Sequence, residues 1–214
     1  MVITSIQAEE RRKTLVRAAM TVMSEQGVSQ SRLADIGERA GISASQVLYY
    51  FNSKAELFIE ALRAVESELR DDVVAATATM KSAAERLDYL LAAAAPHGPG
   101  DYRLLLWMDA WELAPRNPEV ARQLQQLEDH WLDLLTSIFE HGIRSGELEC
   151  DDLPGFVVRY SALIDGLTIQ VVLGSPHVDR SGMLKICRET AQRELRWRRP
   201  RRSAAKKNNH TRTP

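Results

Sequence analysis

The chain of 214 residues lacks most features that mark metal centres, disulfide scaffolds and common enzyme active sites. It has two cysteines, Cys150 and Cys187, and no CxxC pair, which is typical of reduced thiols in a cytoplasmic protein. No P-loop, GxGxxG, HExxH or GxSxG motif is present. No histidine follows a glutamate by three residues, which argues against a di-iron helical bundle. We therefore expect no enzyme, no metal site and no cofactor.

Long apolar runs are also scarce. A membrane-spanning helix needs about 20 apolar residues, and polar residues at helical spacing interrupt both Leu104–Met108 and Phe156–Leu173. The opening residues, MVITSIQAEERRK, become charged too early for the apolar region of a signal peptide. We therefore expect a cytoplasmic protein without a membrane partner.

Negative and positive charges nearly cancel, to a net charge of −1, but they are unevenly distributed. Residues 196–214 contain eight lysines and arginines and no acid, which leaves the rest of the chain near −9. A local positive surface can therefore still bind a polyanion. We expect residues 198–214 to form a disordered basic tail, which either adds non-specific attraction to DNA or has no role.

Apolar residues recur at spacings of three and four almost throughout, and alternating patterns are rare, so we predict an all-α fold of about nine helices. Caps, glycines and prolines divide the sequence into these helices. The predicted helices are at about 6–26, 31–40, 44–51, from 53 onward, 82–95, 101–114, 117–145, 152–173 and 179–196.

Residues 31–51 have the pattern of a helix-turn-helix, whose second helix enters the major groove of DNA. We predict a positioning helix capped by Ser31, a turn at Gly41–Ser43 and a recognition helix at Ala44–Phe51. Ser45 and Gln46 on its first turn can hydrogen-bond to base edges, and alanine can contact a thymine methyl. The candidate DNA-contacting residues are Arg32, Ser43, Ala44, Ser45, Gln46, Tyr49, Tyr50 and Lys54.

Tyr49 and Lys54 are expected to bind phosphates beside the groove, and Arg32 to reach a phosphate or a base. Arg11, Arg12 and Lys13 could reach the adjacent DNA backbone. A Gly-x-Ser turn also occurs in helical bundles that do not bind DNA. A helical interaction protein without sequence-specific DNA binding therefore remains an alternative from these residues alone.

The run from Ser31 to Leu57 resembles the TetR family of transcriptional regulators, whose pattern is T-x-x-x-I-A-x-x-A-G-V-S, a tyrosine-containing helix and F-x-S-K-E-x-L. The matching residues are Ser31, Ile36, Ala40, Gly41, Ile42, Ser43, Tyr49, Tyr50, Phe51, Ser53, Lys54 and Leu57. The resemblance implies a DNA-binding domain in residues 1–52 and a ligand-binding and dimerisation domain in residues 53–197. It also implies a repressor that binds a palindromic double-stranded operator as a dimer and is released by a small-molecule effector.

Three positions depart from the family pattern. Gly37 replaces an alanine, at a cost of about 1 kcal/mol in helix propensity. Leu48 replaces a tyrosine that binds phosphate in many members, and Ala44 stands where lysine is common. Both changes are expected to weaken phosphate binding.

The larger half resembles the BetI-type subgroup, on LLLWMDAWELAPRNPEVARQLQQLEDHW, HGIRSGEL and ALIDGLTIQ. Aromatic side chains in neighbouring helices could line an apolar ligand pocket or simply form core. A carboxylate at Asp165, in an apolar stretch, would need a partner or a cationic ligand unless it lies on the surface. The candidate pocket residues are Tyr102, Trp107, Trp111, Trp131, Phe139, Tyr160 and Asp165.

The last two predicted helices carry apolar stripes that are too wide for one packing face. We therefore predict a homodimer in which these helices from two subunits form a four-helix bundle. Such a dimer would hold its recognition helices about 34–36 Å apart, or a multiple of that, as successive turns of DNA require.

Overall fold

The structure is a computed structural model and describes residues 5–198. Over these residues the chain forms nine α-helices and one short two-stranded sheet, which confirms the predicted all-α class. The elements are α1 Ser5–Gln26, α2 Leu33–Ala40, α3 Ala44–Tyr50, α4 Lys54–Thr77, α5 Ala83–Ala94, α6 Tyr102–Leu113, α7 Pro118–Ser145, β1 Leu148–Glu149, α8 Leu153–Val172, α9 Arg180–Glu194 and β2 Arg196–Trp197.

Polar caps set most helix starts, as the sequence predicts. The Asn117 side chain accepts from two backbone N–H groups at the start of α7, and Ser53 accepts from Glu56 N at the start of α4. The predicted cap of α2 is wrong. Ser31 is only 2% exposed, and its hydroxyl donates to Val28 O at 2.9 Å, so Arg32 takes the N-cap position. The Ser31 hydroxyl is bonded within the preceding turn and therefore does not cap α2.

The buried side chains form two clusters stacked along the molecule. The first joins α1–α3 and the start of α4 to α6 and the first half of α7, through Leu106, Ala110 and Leu124. The second joins the end of α4, α5 and the rest of α7 to α8 and α9. Helices α4 and α7 pass through both clusters, and the N-terminal helices share the first cluster with α6 and α7 of the larger half.

Helix α8 is more apolar than we expected. The helix has 20 residues and a mean hydropathy of 1.3, and by these two criteria it could cross a membrane. The polar residues that interrupt this stretch therefore do not bring it below these two criteria, contrary to our prediction. However, Phe156, Tyr160 and Ile164 on one face are buried in the second cluster, against α7 and α9. This packing is that of a core helix.

The sheet ties the end of α9 to the loop after α7. Leu148 pairs with Trp197 in antiparallel register, and Arg198 N donates to Glu147 O at 2.7 Å. Residue 198 is thus held by the fold. The rest of the predicted basic tail, residues 199–214, lies outside the described residues.

Candidate functional site

The helix-turn-helix forms as predicted between α2 and α3. Gly41 adopts a left-handed conformation with φ of 70°, which an L side chain would disfavour, and so turns the chain. Ser43 then caps α3 by accepting from Gln46 N. Val47 and Phe51 are fully buried on the inner face and fix the helix to the core.

The opposite face of α3 is open to solvent. Ser45 and Gln46 are exposed on its first turn, and Tyr49 is 77% exposed on the next. The Gln46 side chain accepts from Ser43 N at 2.9 Å through Oε1, which leaves its amide N–H groups for another partner. Because the inner face of α3 is packed against the core, the exposed polar groups on its outer face are suited to contact base edges.

Gly37 has a structural role that helix propensity alone does not reveal. A Cβ at this position would lie 2.7 Å from the carbonyl oxygen of Ile42 and 3.2 Å from the carbonyl carbon of Ser43. The turn can therefore pack closely on α2 only because position 37 has no side chain. Helix propensity alone predicts only a modest cost at this position.

Two of the candidate cations are already engaged within the protein. Lys54 Nζ donates to the carbonyl oxygens of Val28, Ser29 and Ser31 at 2.8, 3.2 and 3.0 Å. Arg12 donates to the carbonyl of Tyr50 and lies over a buried aromatic ring. Both side chains therefore stabilise the helix-turn-helix in the DNA-free protein, and their contact with phosphate stays a prediction.

The remaining candidates differ in exposure. Arg32 and Ser43 are exposed, whereas Ala44 and Tyr50 are half-buried. Tyr50 also packs against the first core cluster and against the edge of Tyr49, with ring centroids 5.1 Å apart. Tyr50 is thus partly a core aromatic, and Tyr49 presents the accessible hydroxyl.

The larger half contains a cavity of about 290 Å³ between α4, α6, α7 and α8. Four of the candidate pocket residues lie together in its wall, namely three tryptophans and Asp165. Trp107 and Trp111 project from α6 with ring centroids 6.3 Å apart, and Trp131 projects from α7. The indole N–H of Trp131 donates to Ser161 Oγ at 3.0 Å, which fixes the orientation of its ring. Their binding of a ligand stays a prediction.

Three carboxylates share this aromatic cavity. Burial raises the pKa of Asp165 to about 6, and the negative charge of Glu128 adds to the shift. Burial also raises the pKa of Glu128. Neither carboxylate has a hydrogen-bond or ion-pair partner among residues 5–198, whereas Glu66 is paired with Arg70 at 3.1 Å. Besides the Glu66–Arg70 pair, the cavity thus holds two carboxylates without a partner in the described part of the chain, next to three tryptophan side chains.

Three of the predicted pocket aromatics lie elsewhere. Phe139 and Tyr160 are buried in the second core cluster, where the Tyr160 hydroxyl donates to Cys187 O at 2.9 Å. Tyr102 is exposed and lines a neighbouring cavity. Helical spacing cannot separate core aromatics from cavity aromatics, because both lie on apolar faces.

Comparison with known proteins identifies the chain. Residues 15–61 match the model of bacterial regulatory proteins of the tetR family. Residues 83–196, more than half of the chain, match the model of the C-terminal part of BetI-type transcriptional repressors. The chain belongs to the TetR family.

Similar proteins span nearly the whole of this TetR-family chain. BetI of Rhizobium meliloti, an HTH-type transcriptional regulator, is 28% identical over 199 residues, covering 87% of this chain and 90% of that protein. BetI of Escherichia coli K12 is 26% identical, covering 80% and 87%. A transcriptional regulator from Saccharomonospora viridis, solved in complex with choline, has a TM-score of 0.80 at 27% identity, covering 89% of this chain and 100% of that chain.

These relatives are regulators and not enzymes. The chain is accordingly a ligand-responsive, DNA-binding transcriptional repressor of the TetR family. The alternative of a helical bundle that does not bind DNA is therefore not retained.

Helix α6 connects the cavity of this TetR-family repressor to its helix-turn-helix. Between its two cavity tryptophans, α6 carries Asp109, whose carboxylate accepts from Val28 N at 3.0 Å. Val28 begins the turn that Lys54 clamps and that leads into α2. The carboxylate is half-buried, and burial raises its pKa. A shift of α6 would therefore move the entry to the DNA-binding helices.

Sequence reasoning missed Asp109, Glu66 and Glu128. Glu66 lies four residues after the buried Leu62 on α4, and Glu128 precedes Trp131 by one helical turn on α7. An acid at core-facing spacing beside an aromatic residue was thus visible in the sequence. That these acids converge with Asp165 was not visible, because they lie on three different helices.

Proposed function

We propose that the effector of this repressor is a small quaternary ammonium cation. The observation that supports this proposal is the pairing of three indole rings with the unpaired carboxylates of Asp165 and Glu128 in one cavity. Aromatic faces attract a methylated ammonium through their quadrupole, and a desolvated carboxylate supplies the counter-charge. The choline bound to the relative from Saccharomonospora viridis supports the same class.

The size of the cavity supports a small ligand. Its volume of about 290 Å³ is near the lower end for ligand sites. A cation of the size of choline suits this space. The carboxylates also disfavour an anionic ligand, which would meet like charge in a site of low dielectric constant.

A matched pair of ligands tests the cation class. Choline and 3,3-dimethylbutan-1-ol have nearly the same shape, and only choline is charged. We expect choline to change the tryptophan fluorescence with an affinity at least about 30-fold higher, since a cation–π contact and a carboxylate together contribute on the order of 2 kcal/mol or more. Equal affinities for the two ligands, or no binding of choline, would refute the effector class.

The DNA-binding half is proposed to read its operator through Ser45 and Gln46, with phosphate contacts from Arg32 and Tyr49. Gln46→Glu tests this proposal, because a carboxylate can still accept from Ser43 N but cannot donate to a base. After operator selection with the purified protein, we expect this variant to lose preference at one base position of each half-site. Ser137→Ala, on the exposed face of α7, is the control. Unchanged base preference in Gln46→Glu would contradict the assignment.

The protein is proposed to act in the cytoplasm as a homodimer through α8 and α9, on a palindromic operator. Exposed apolar side chains on these helices support this arrangement, among them Val158 at 58%, Leu173 at 66% and Ile186 at 36% exposure. The effector would displace α4 and α6, both of which line the cavity and contact the N-terminal helices. Release from DNA then requires that the effector binds the DNA-incompetent arrangement more tightly.

A further inference from the structure

The most exposed part of the cavity wall lies on α8. Eighteen residues line it, and sixteen of them are buried or half-buried. The two exposed lining residues are Val158 and Ala162, one helical turn apart. Both are apolar. We call this exposed part of the wall the mouth of the cavity.

The same face continues as an apolar stripe along the whole helix. Its members lie at successive spacings of four, four, three and four residues, which keeps them on one side of the helix. We call this set the α8 stripe, and its members are Val158, Ala162, Gly166, Ile169 and Leu173. At its centre a Cβ added to Gly166 would meet no atom within 4 Å, so the backbone of α8 is openly accessible there.

These properties fit a second copy of the same helix. A stripe with small residues at its centre allows two helices to approach closely, and a two-fold axis through it places identical stripes face to face. The adjacent charged residue Arg159 is already held by Glu194 at 3.2 Å and Asp152 at 3.8 Å, so it does not offer a free charge to an anionic partner. A repressor with one recognition helix per chain also needs a two-fold partner.

We propose that the α8 stripe of a second copy covers Val158 and Ala162 and so closes the mouth of the effector cavity. The effector site is then complete only in the dimer, and an effector enters or leaves when the two α8 helices move apart. Effector binding and subunit association are thereby linked, and each strengthens the other. This proposal builds on the proposed function by assigning the wall that the single chain leaves open.

A thiol at the mouth tests closure without any effector. In a Cys150→Ser background, Val158→Cys places a reactive thiol in the mouth, and Ser137→Cys on the exposed face of α7 is the control. We expect a maleimide to modify the thiol at position 158 at least about tenfold more slowly than the control thiol while the protein sediments as a dimer. Equal rates in the dimer, or a protein that is monomeric at micromolar concentration, would overturn the proposal.

Gly166→Glu provides the complementary variant. Because the position is open in the single chain, the glutamate fits the folded monomer and blocks only the approach of a second α8. We expect this variant to be monomeric, to restore the rapid modification at position 158, and to bind choline about tenfold or more weakly than the wild type. Circular dichroism and thermal unfolding establish that it is folded.

The outcomes separate this inference from the effector class. Equal choline affinity in the wild-type dimer and in monomeric Gly166→Glu would overturn the linkage while leaving the cation class intact. If the wild type binds no choline, the effector class fails, and the protection of the thiol at position 158 still decides whether a second copy covers the mouth.

Discussion

Replacing Asp165 with asparagine should strengthen the fold and weaken effector binding at the same time. Burial raises the pKa of Asp165 to about 6, so the folded protein favours the protonated carboxyl more than the unfolded chain does. A rise in the pKa from about 3.9 to about 6 corresponds to about 3 kcal/mol, and partial exposure of the side chain reduces this to about 1–2 kcal/mol. Asparagine has almost the same shape and carries no charge.

The sign of this effect depends on pH. The penalty for the buried carboxylate is complete above the folded pKa of about 6 and disappears below the unfolded pKa of about 3.9. We therefore expect Asp165→Asn to raise the free energy of unfolding by about 1–2 kcal/mol near pH 7.5, and the gain to fade as the pH falls toward 4. Urea unfolding at a fixed protein concentration measures it.

The same substitution removes the proposed counter-charge of the effector. We expect choline affinity to fall at least about tenfold, because a charge pair at reduced dielectric constant contributes more than 1.4 kcal/mol. Asp133→Asn, at an exposed position on α7, controls for the loss of a surface charge. A variant no more stable than the wild type at pH 7.5, or a gain that does not change with pH, would refute the reasoning about Asp165.

Three further substitutions test the links to the helix-turn-helix. Gly37→Ala should lower the free energy of unfolding by about 1–3 kcal/mol and weaken operator binding, because the new Cβ would lie 2.7 Å from Ile42 O. A gain in stability in urea unfolding would instead show that helix propensity outweighs this close contact. Asp109→Ala should lower the free energy of unfolding by about 1–2 kcal/mol, since Val28 N loses its acceptor. It should also reduce the ratio of the operator affinities measured without and with effector. An unchanged ratio in paired titrations would exclude a role of Asp109 in connecting the cavity to the helix-turn-helix. Lys54→Met should cost about 1–3 kcal/mol in urea unfolding, because three carbonyl groups lose their donor. If Lys54 also binds a phosphate as predicted, the salt slope of operator binding should fall by about 0.9, and an unchanged slope in salt titrations would leave it only its structural role.

The sequence was sufficient for the helices and for the DNA-binding motif. Apolar spacing, caps and helix-ending glycines are local signals, so α3 and α7 begin where Ser43 and Asn117 predict. The exposure of Ser45, Gln46 and Tyr49 also followed from periodicity, because Val47 and Phe51 occupy the opposite face. These features depend on interactions within one or two helical turns.

Local signals failed where residues of one type have different surroundings. Trp131 lines the cavity and Tyr160 lies in the core, although both sit on apolar faces of adjacent helices. Tyr160 meets the ring of Phe139 on α7 edge-on with ring centroids 5.7 Å apart, a contact that only the packing of α7 against α8 creates. Lys54 likewise matches a family motif, and yet its ammonium is directed to carbonyl groups more than 20 residues away.

By itself the sequence determined the all-α class, the helix-turn-helix and the family, since each is encoded in short-range patterns of residue type. Only the tertiary structure decided which acids meet the tryptophans, that Asp109 joins α6 to the turn before α2, and that part of the cavity wall is exposed on α8. Helical periodicity specifies which face of a helix is apolar but not which other helix it meets. The charge, size and opening of a site formed by four helices depend on those long-range contacts.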